Sequence, residues 1–281
     1  MALDPIVSTG WLKEHLNAPD VVIVDASWYL PAMGRDAKKE YKTAHIPGAL
    51  FMDIDEVSDQ SSPLPHMMPE PHIFSSRMRR MGIGDGQTIV VYDGMGIFSA
   101  ARVWWMFRAF GVERVHVLDG GLPKWKEEGL PLTDEVPPRM ERHFTAMLNN
   151  DMVRGLNEVQ SALTSQSHFL LDARAPERFK GIAPEPRDGV RAGHMQNALN
   201  LPFGLLLNEG QLRSKEDLKE IFAQAGVDAT TPVITTCGSG VTAAVITLAL
   251  TQIGYTKNAL YDGSWTEWGS HPDTEVISEP A

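Results

Sequence analysis

The chain has 281 residues, 43% of them hydrophobic and 22% charged, with a formal net charge of -11. The composition is that of an ordinary soluble globular protein. Its acidity argues against nucleic acid and anionic membranes as partners, so an anionic substrate requires a locally basic pocket. A single cysteine excludes an intrachain disulfide and a cysteine-based zinc site.

The length suits two domains of about 130–140 residues better than one core. Met1-Ala2-Leu3-Asp4-Pro5 shows no basic-then-apolar signal pattern, and no run approaches the roughly 18 apolar residues of a membrane span. A cytoplasmic location is therefore expected, a reducing compartment suited to a single reactive thiol.

Taken in order, Ser8-Thr9 caps a short amphipathic helix bearing Trp11, Leu12 and Leu16. Val21-Val22-Ile23-Val24-Asp25 is a continuous apolar run ending on an acid, the pattern of a buried parallel strand. A turn-rich connection runs through His45-Ile46-Pro47-Gly48-Ala49 to Asp53-Ile54-Asp55 and a proline-rich loop over residues 61–71 that contains His66. Residues 73–81 read as a helix stopped by Gly82, and Ile89-Val90-Val91-Tyr92-Asp93 as a second strand. Gly94-Met95-Gly96 turns into a helix over 99–110, stopped by Gly111. Val115-His116-Val117-Leu118-Asp119 is a third strand, after which Gly120-Gly121 turns toward Trp125.

The second half repeats this plan. Phe169-Leu170-Leu171-Asp172 echoes the first strand, and Gly193-His194-Met195 echoes the His45 turn. Gly111, Asp119 and Trp125 return as Gly254, Asp262 and Trp268 at one constant spacing. Ser214, with Asp217 three positions on, opens a helix running to Ala225. The expected fold class is α/β: two similar domains, each a mainly parallel sheet flanked by helices. The boundaries read as 1–133, a linker over 134–147 around Pro137-Pro138, and 148–281.

The only cysteine stands in Thr235-Thr236-Cys237-Gly238-Ser239-Gly240-Val241-Thr242-Ala243. Pro232-Val233-Ile234 before it reads as a short buried strand, and residues 241–253 after it as a helix. A thiol at that junction faces inward-pointing N–H groups and the positive end of a helix, where anionic sulfur is stabilised. The plainer reading is a buried cysteine acting as a small apolar filler. Extending the constant spacing puts Gly94 opposite Cys237, so the first copy has the turn without a nucleophile, and the chemistry is expected in the second.

Three chemistries compete for this loop. Gly238-x-Gly240-x-x-Ala243 formally matches a dinucleotide fingerprint, with Asp262 at a later strand end, but too little chain follows to build the doubly wound fold. A cysteine phosphatase needs an arginine six residues beyond the nucleophile, and Ala243 stands there. Sulfur transfer needs one nucleophilic cysteine, inward N–H groups and no second cysteine, and the loop meets all three requirements.

The chain resembles the tandem-domain rhodanese family over nearly its whole length. The resemblance is carried by the His45–Ala49 turn, Asp53-Ile54-Asp55, Ser62-Pro63-Leu64-Pro65-His66-Met67-Met68-Pro69, Ser99-Ala100-Ala101-Arg102-Val103-Trp104-Trp105, Tyr261-Asp262-Gly263-Ser264-Trp265-Thr266-Glu267-Trp268 and the cysteine loop. Ala101 departs from it, since relatives often have proline there. Within the family the neutral Cys-Gly-Ser-Gly-Val-Thr loop is similar to that of 3-mercaptopyruvate sulfurtransferases, whereas thiosulfate-preferring rhodaneses usually carry basic residues inside it.

The resemblance implies a Cys237 persulfide, with Gly238, Gly240, Val241 and Thr242 forming the substrate loop. It implies that Arg178 and Arg187 bind the donor carboxylate, a role the guanidinium fork suits, although isolated arginines near Glu177, Glu185 and Asp188 read otherwise as surface charge. His66 and Asp55 match a pair that supports the Ser239 hydroxyl in protonating the pyruvate enolate; alone, His66 reads as a structural loop histidine. Arg102 either reaches the site or pairs with an acid, and Trp104-Trp105 reads as core packing. The expected partners are a small-molecule sulfur donor and a thiol, thioredoxin-like or cyanide acceptor. No cofactor is implied, and no metal, because His66 and His72 lack ligand spacing in a proline-rich loop. A thiosulfate:cyanide sulfurtransferase and a non-enzymatic persulfide carrier are the alternatives.

Overall fold

A computed structural model describes residues 4–138, 140–228 and 230–278. The first half forms β1 (Ile6–Val7), β2 (Val21–Asp25), β3 (Leu50–Phe51), β4 (Thr88–Tyr92) and β5 (Val115–Leu118), a sheet in the order β1-β5-β4-β2-β3 with every neighbouring pair parallel. The second half forms β6 (Val153–Arg154), β7 (Phe169–Asp172), β8 (Leu199–Asn200), a small antiparallel hairpin of β9 (Leu207–Asn208) and β10 (Gln211–Leu212), then β11 (Val233–Thr236) and β12 (Asn258–Tyr261). Its main sheet runs β6-β12-β11-β7-β8, again all parallel. The two orders correspond strand for strand, as the repeat requires, and the continuous apolar runs are those of strands covered on both faces.

Local chemistry sets the helix ends. α1 (Thr9–His15) starts where the Ser8 hydroxyl accepts the N–H of Trp11 at 3.1 Å. α2 (Ala37–Thr43) and α3 (Ile54–Val57) are capped by Asp36 and Asp53. α4 (Pro71–Met81) starts two residues before the expected helix, because a proline suits a first helical position. α5 (Ser99–Ala109) and α6 (Gly121–Glu127) complete the first half. The second has α7 (Leu156–Ser165), α8 (Pro176–Phe179), α9 (Lys215–Gln224), α10 (Ala243–Gln252) and α11 (Ser264–Ser270). Ser214 caps α9 as its sequence suggests, accepting the N–H of Asp217 at 3.1 Å. Trp104, Trp105 and Trp125 are buried in the first half, and Trp265 and Trp268 in the second.

Two compact units emerge from these elements. The first holds the described residues up to Gln60, then 68–149 and 207–212; the second holds 61–67, 150–206 and 213 onward. Residues 134–147, read as a linker, group with the first unit. There Phe144 is buried against Phe74 and Phe107, and Asp85 accepts the N–H of Thr145 at 2.9 Å. The β9–β10 hairpin also joins this unit, with the N–H of Leu212 and the side-chain amide of Gln211 donating to the Asp119 carboxylate at 2.9 Å each.

Candidate active site

Cys237 lies one residue past the end of β11, 2% exposed. Its loop is anchored from α11: the N–H groups of Trp265 and Thr266 donate to the carbonyls of Cys237 and Gly238 at 2.9 Å each. The Thr266 hydroxyl also donates to the Gly238 carbonyl at 2.6 Å, and the N–H of Cys237 donates to Ser264 Oγ at 3.3 Å. These bonds draw the Cys237 and Gly238 carbonyls toward α11. Gly240 takes φ 78°, a left-handed conformation that favours glycine, and α10 begins only at Ala243 rather than at the expected Val241.

Ser239 and His66, 173 residues apart in sequence, meet beside the cysteine loop. Ser239 Oγ and His66 Nδ1 form a buried hydrogen bond of 3.0 Å within the second unit. His66 is 4% exposed and has φ 60°, a strained backbone for a residue with a side chain; such strain concentrates at sites where a side chain must be aimed. Asp55 lies in α3 of the first unit, its carboxylate accepting the Trp28 indole N–H at 2.9 Å. Arg102 is fully buried in α5, its guanidinium 4.5 Å over the Trp105 ring.

Arg178 stands against the loop: a Cβ built on Gly238 would lie 3.1 Å from its Nη2. It is held there by Glu185, which bonds to Arg178 Nη2 and, at 3.4 Å, to Nε. Glu185 also accepts from Arg174 Nη1 at 2.8 Å, and Arg174 grips Asp172 at the end of β7 through Nε and Nη2. The Arg174 guanidinium lies 4.3 Å over the ring of Trp265, whose N–H anchors Cys237. Burial works against the charge on Arg174, yet the Asp172 and Glu185 carboxylates hold its pKa above the ordinary range. Arg187 is half-buried in the loop between α8 and β8. Sequence reading missed Arg174 and Glu185, because charged residues in a loop look like surface; the only hint was Asp172-Ala173-Arg174 directly after a buried strand.

The first unit corrects the alignment of the repeat. Strand pairing sets Val91 opposite Val117 and Thr235 opposite Leu260, so Asp93, not Gly94, is the counterpart of Cys237. The N–H of Leu122 donates to the Asp93 carbonyl as that of Trp265 does to Cys237. The connection between the paired strands is one residue longer in the first half, a slip that equal spacing of Gly111, Asp119 and Trp125 conceals. Asp93 is fully buried and its carboxylate accepts the N–H groups of Met95, Phe98 and Ala100, each at 2.8 Å. Burial raises its pKa while these N–H donors oppose that shift; every such partner donates, so the cradle fits an anion. At the matching positions in the second unit, the N–H groups of Ser239 and Thr242 meet no protein acceptor among the described residues.

This geometry offers a buried thiol, a hydroxyl hydrogen-bonded to an imidazole, and a guanidinium oriented against the same loop. Comparison with known proteins places the whole chain. The rhodanese-like domain model matches residues 8–128 and again 156–271. The human 3-mercaptopyruvate sulfurtransferase is 42% identical over 98% of this chain and 95% of its own length. The rat thiosulfate sulfurtransferase is also 42% identical, over 96% and 94%. The crystal structure of SseA from Escherichia coli, described as a 3-mercaptopyruvate sulfotransferase of the "Rhodanese" fold, superposes with a TM-score of 0.86 at 40% identity, covering 93% of this chain and 98% of that one. With two matches to one domain model, relatives aligned over nearly their full length and the strand orders of both sheets in register, the chain belongs to the rhodanese-like family in its tandem-domain form.

Proposed function

We propose that this chain is a sulfurtransferase that takes sulfur from 3-mercaptopyruvate through a Cys237 persulfide to a thiol, thioredoxin-like or cyanide acceptor, releasing pyruvate. The observation that carries this reading is Cys237 in a neutral loop with the Ser239–His66 pair beside it and Arg178 against Gly238. The Cys237 thiolate attacks the donor sulfur and forms the S–S bond. The carbon–sulfur bond breaks, and its electron pair passes to the pyruvate enolate. Ser239, bonded to His66, supplies the proton that completes pyruvate, and Asp55 supports His66 in this role. The acceptor then takes the outer sulfur and regenerates the thiolate. Arg178 and Arg187 hold the donor carboxylate, while the first copy, carrying Asp93 instead of cysteine, is non-catalytic. No described helix is long and apolar enough to cross a membrane; the cytoplasm is the proposed compartment.

Similarity to a thiosulfate sulfurtransferase at the same 42% identity keeps thiosulfate as the second reading, and overall identity does not choose between donors. The loop does: Gly238-Ser239-Gly240-Val241-Thr242 contains no cation to match a small inorganic dianion. Purified protein assayed for pyruvate release from mercaptopyruvate and for sulfur transfer from thiosulfate decides, and a strong thiosulfate preference would sink the first reading. Arg187→Ala is expected to raise KM for mercaptopyruvate far more than for thiosulfate; equal effects would count against carboxylate recognition. His66→Ala is expected to lower kcat with mercaptopyruvate by about 10²-fold without slowing alkylation of Cys237. An unchanged kcat would remove the imidazole from the proton route.

A further inference from the structure

The two acids in the chain Asp172–Arg174–Glu185–Arg178 have different jobs. Asp172 neutralises Arg174, through Nε at 3.0–3.1 Å and Nη2 at 2.7 Å, and ties it to the end of β7. Arg174 is fixed again by donating to the Gly193 carbonyl at 2.8 Å and by lying on Trp265. Among the described residues, Glu185 is then the link from this anchored cation to Arg178. Its side chain is 3% exposed, whereas that of Arg178 is 24% exposed. Glu185 bonds Nε and Nη2 of Arg178, and that same Nη2 is the guanidinium atom nearest Gly238, 3.1 Å from a Cβ built there against 3.9 Å for Nη1. An arginine has five N–H donors in one rigid plane, so fixing one edge aims the other.

From this geometry we infer that Glu185 is a positioning residue for the donor: it sets the orientation in which Arg178 meets the substrate carboxylate at the mouth of the Cys237 loop. The inference rests on the mercaptopyruvate reading of the site. It runs against simple charge counting. Glu185 brings negative charge next to a cation that must bind an anion, so electrostatics alone makes its removal improve donor binding. Positioning makes removal harm it, because a released Arg178 must be ordered again each time the donor binds.

The experiment is steady-state kinetics of Glu185→Gln and Glu185→Asp in the full chain. Wild-type turnover of mercaptopyruvate is measured first; its absence would sink the underlying reading and leave the Glu185 comparison to be made on thiosulfate KM. With an active wild type, Glu185→Gln is expected to raise KM for mercaptopyruvate about tenfold with kcat held within about twofold. Glu185→Asp keeps the charge but retracts it by one methylene, and a smaller KM rise in the same direction is expected. Thermal melting and the rate of Cys237 alkylation verify that fold and loop are intact. A folded Gln variant with KM unchanged or lowered overturns the inference. Should the Gln variant fail to fold, Glu185→Asp decides alone, and an unchanged KM overturns it.

Discussion

Cys237→Ser is expected to reduce sulfur transfer from either donor by on the order of 10⁴-fold or more, because the intermediate is formed on this atom. Intact mass after exposure to mercaptopyruvate is expected to show one added sulfur on the wild type and none on the variant. A serine hydroxyl is close in size to the thiol, and the surrounding contacts are backbone bonds from Trp265 and Thr266 that do not depend on the side chain. Stability should therefore hold while activity vanishes. As the chain contains no other cysteine, mass added to the variant would place the sulfur on a non-cysteine group and overturn the mechanism.

The largest expected effect on stability lies in the other unit. Asp93→Ala removes a fully buried carboxylate that accepts the buried N–H groups of Phe98 and Ala100 and the part-buried N–H of Met95. A buried donor left unpaired costs about 1–3 kcal/mol, so the two buried donors, with Met95 partly open to water, should together cost about 2–5 kcal/mol. Asp93→Asn keeps an acceptor oxygen but replaces the other by an amine facing donors, and is expected to fall between the two. Urea denaturation of the full chain measures both; a cost below about 1 kcal/mol for alanine would mean that the loop does not need an internal anion.

Much of the architecture could be read before any coordinates. Apolar runs such as Val21-Val22-Ile23-Val24 announce doubly covered strands, and Gly111, Asp119 and Trp125 returning as Gly254, Asp262 and Trp268 announce the repeat. Equal spacing gave the wrong partner for Cys237, however, because it was anchored on elements after the central strand and a one-residue difference falls between strand and anchor. The nucleophile was legible from its place between strand and helix. The Ser239–His66 hydrogen bond was not, since nothing local couples residues 173 positions apart, and only family resemblance suggested it. Arg174 and Glu185 were hidden for a different reason. A charge buried by pairing with another charge has the same letter as one on the surface, and its burial becomes visible only in three dimensions.

The exchange of segments between the two units has a consequence for how the chain can be divided. Residues 61–67, with His66, come from the first half but belong to the unit of Cys237, and residues 207–212 come from the second half but complete the unit of Asp93. A gene cut at the midpoint would yield one product with the nucleophile and without its histidine, and another with Asp119 deprived of Gln211 and Leu212. Each five-stranded sheet is complete within its own half of the chain, yet the compact unit around each draws one segment from the other half, so the boundary between the units is not a single point in the sequence.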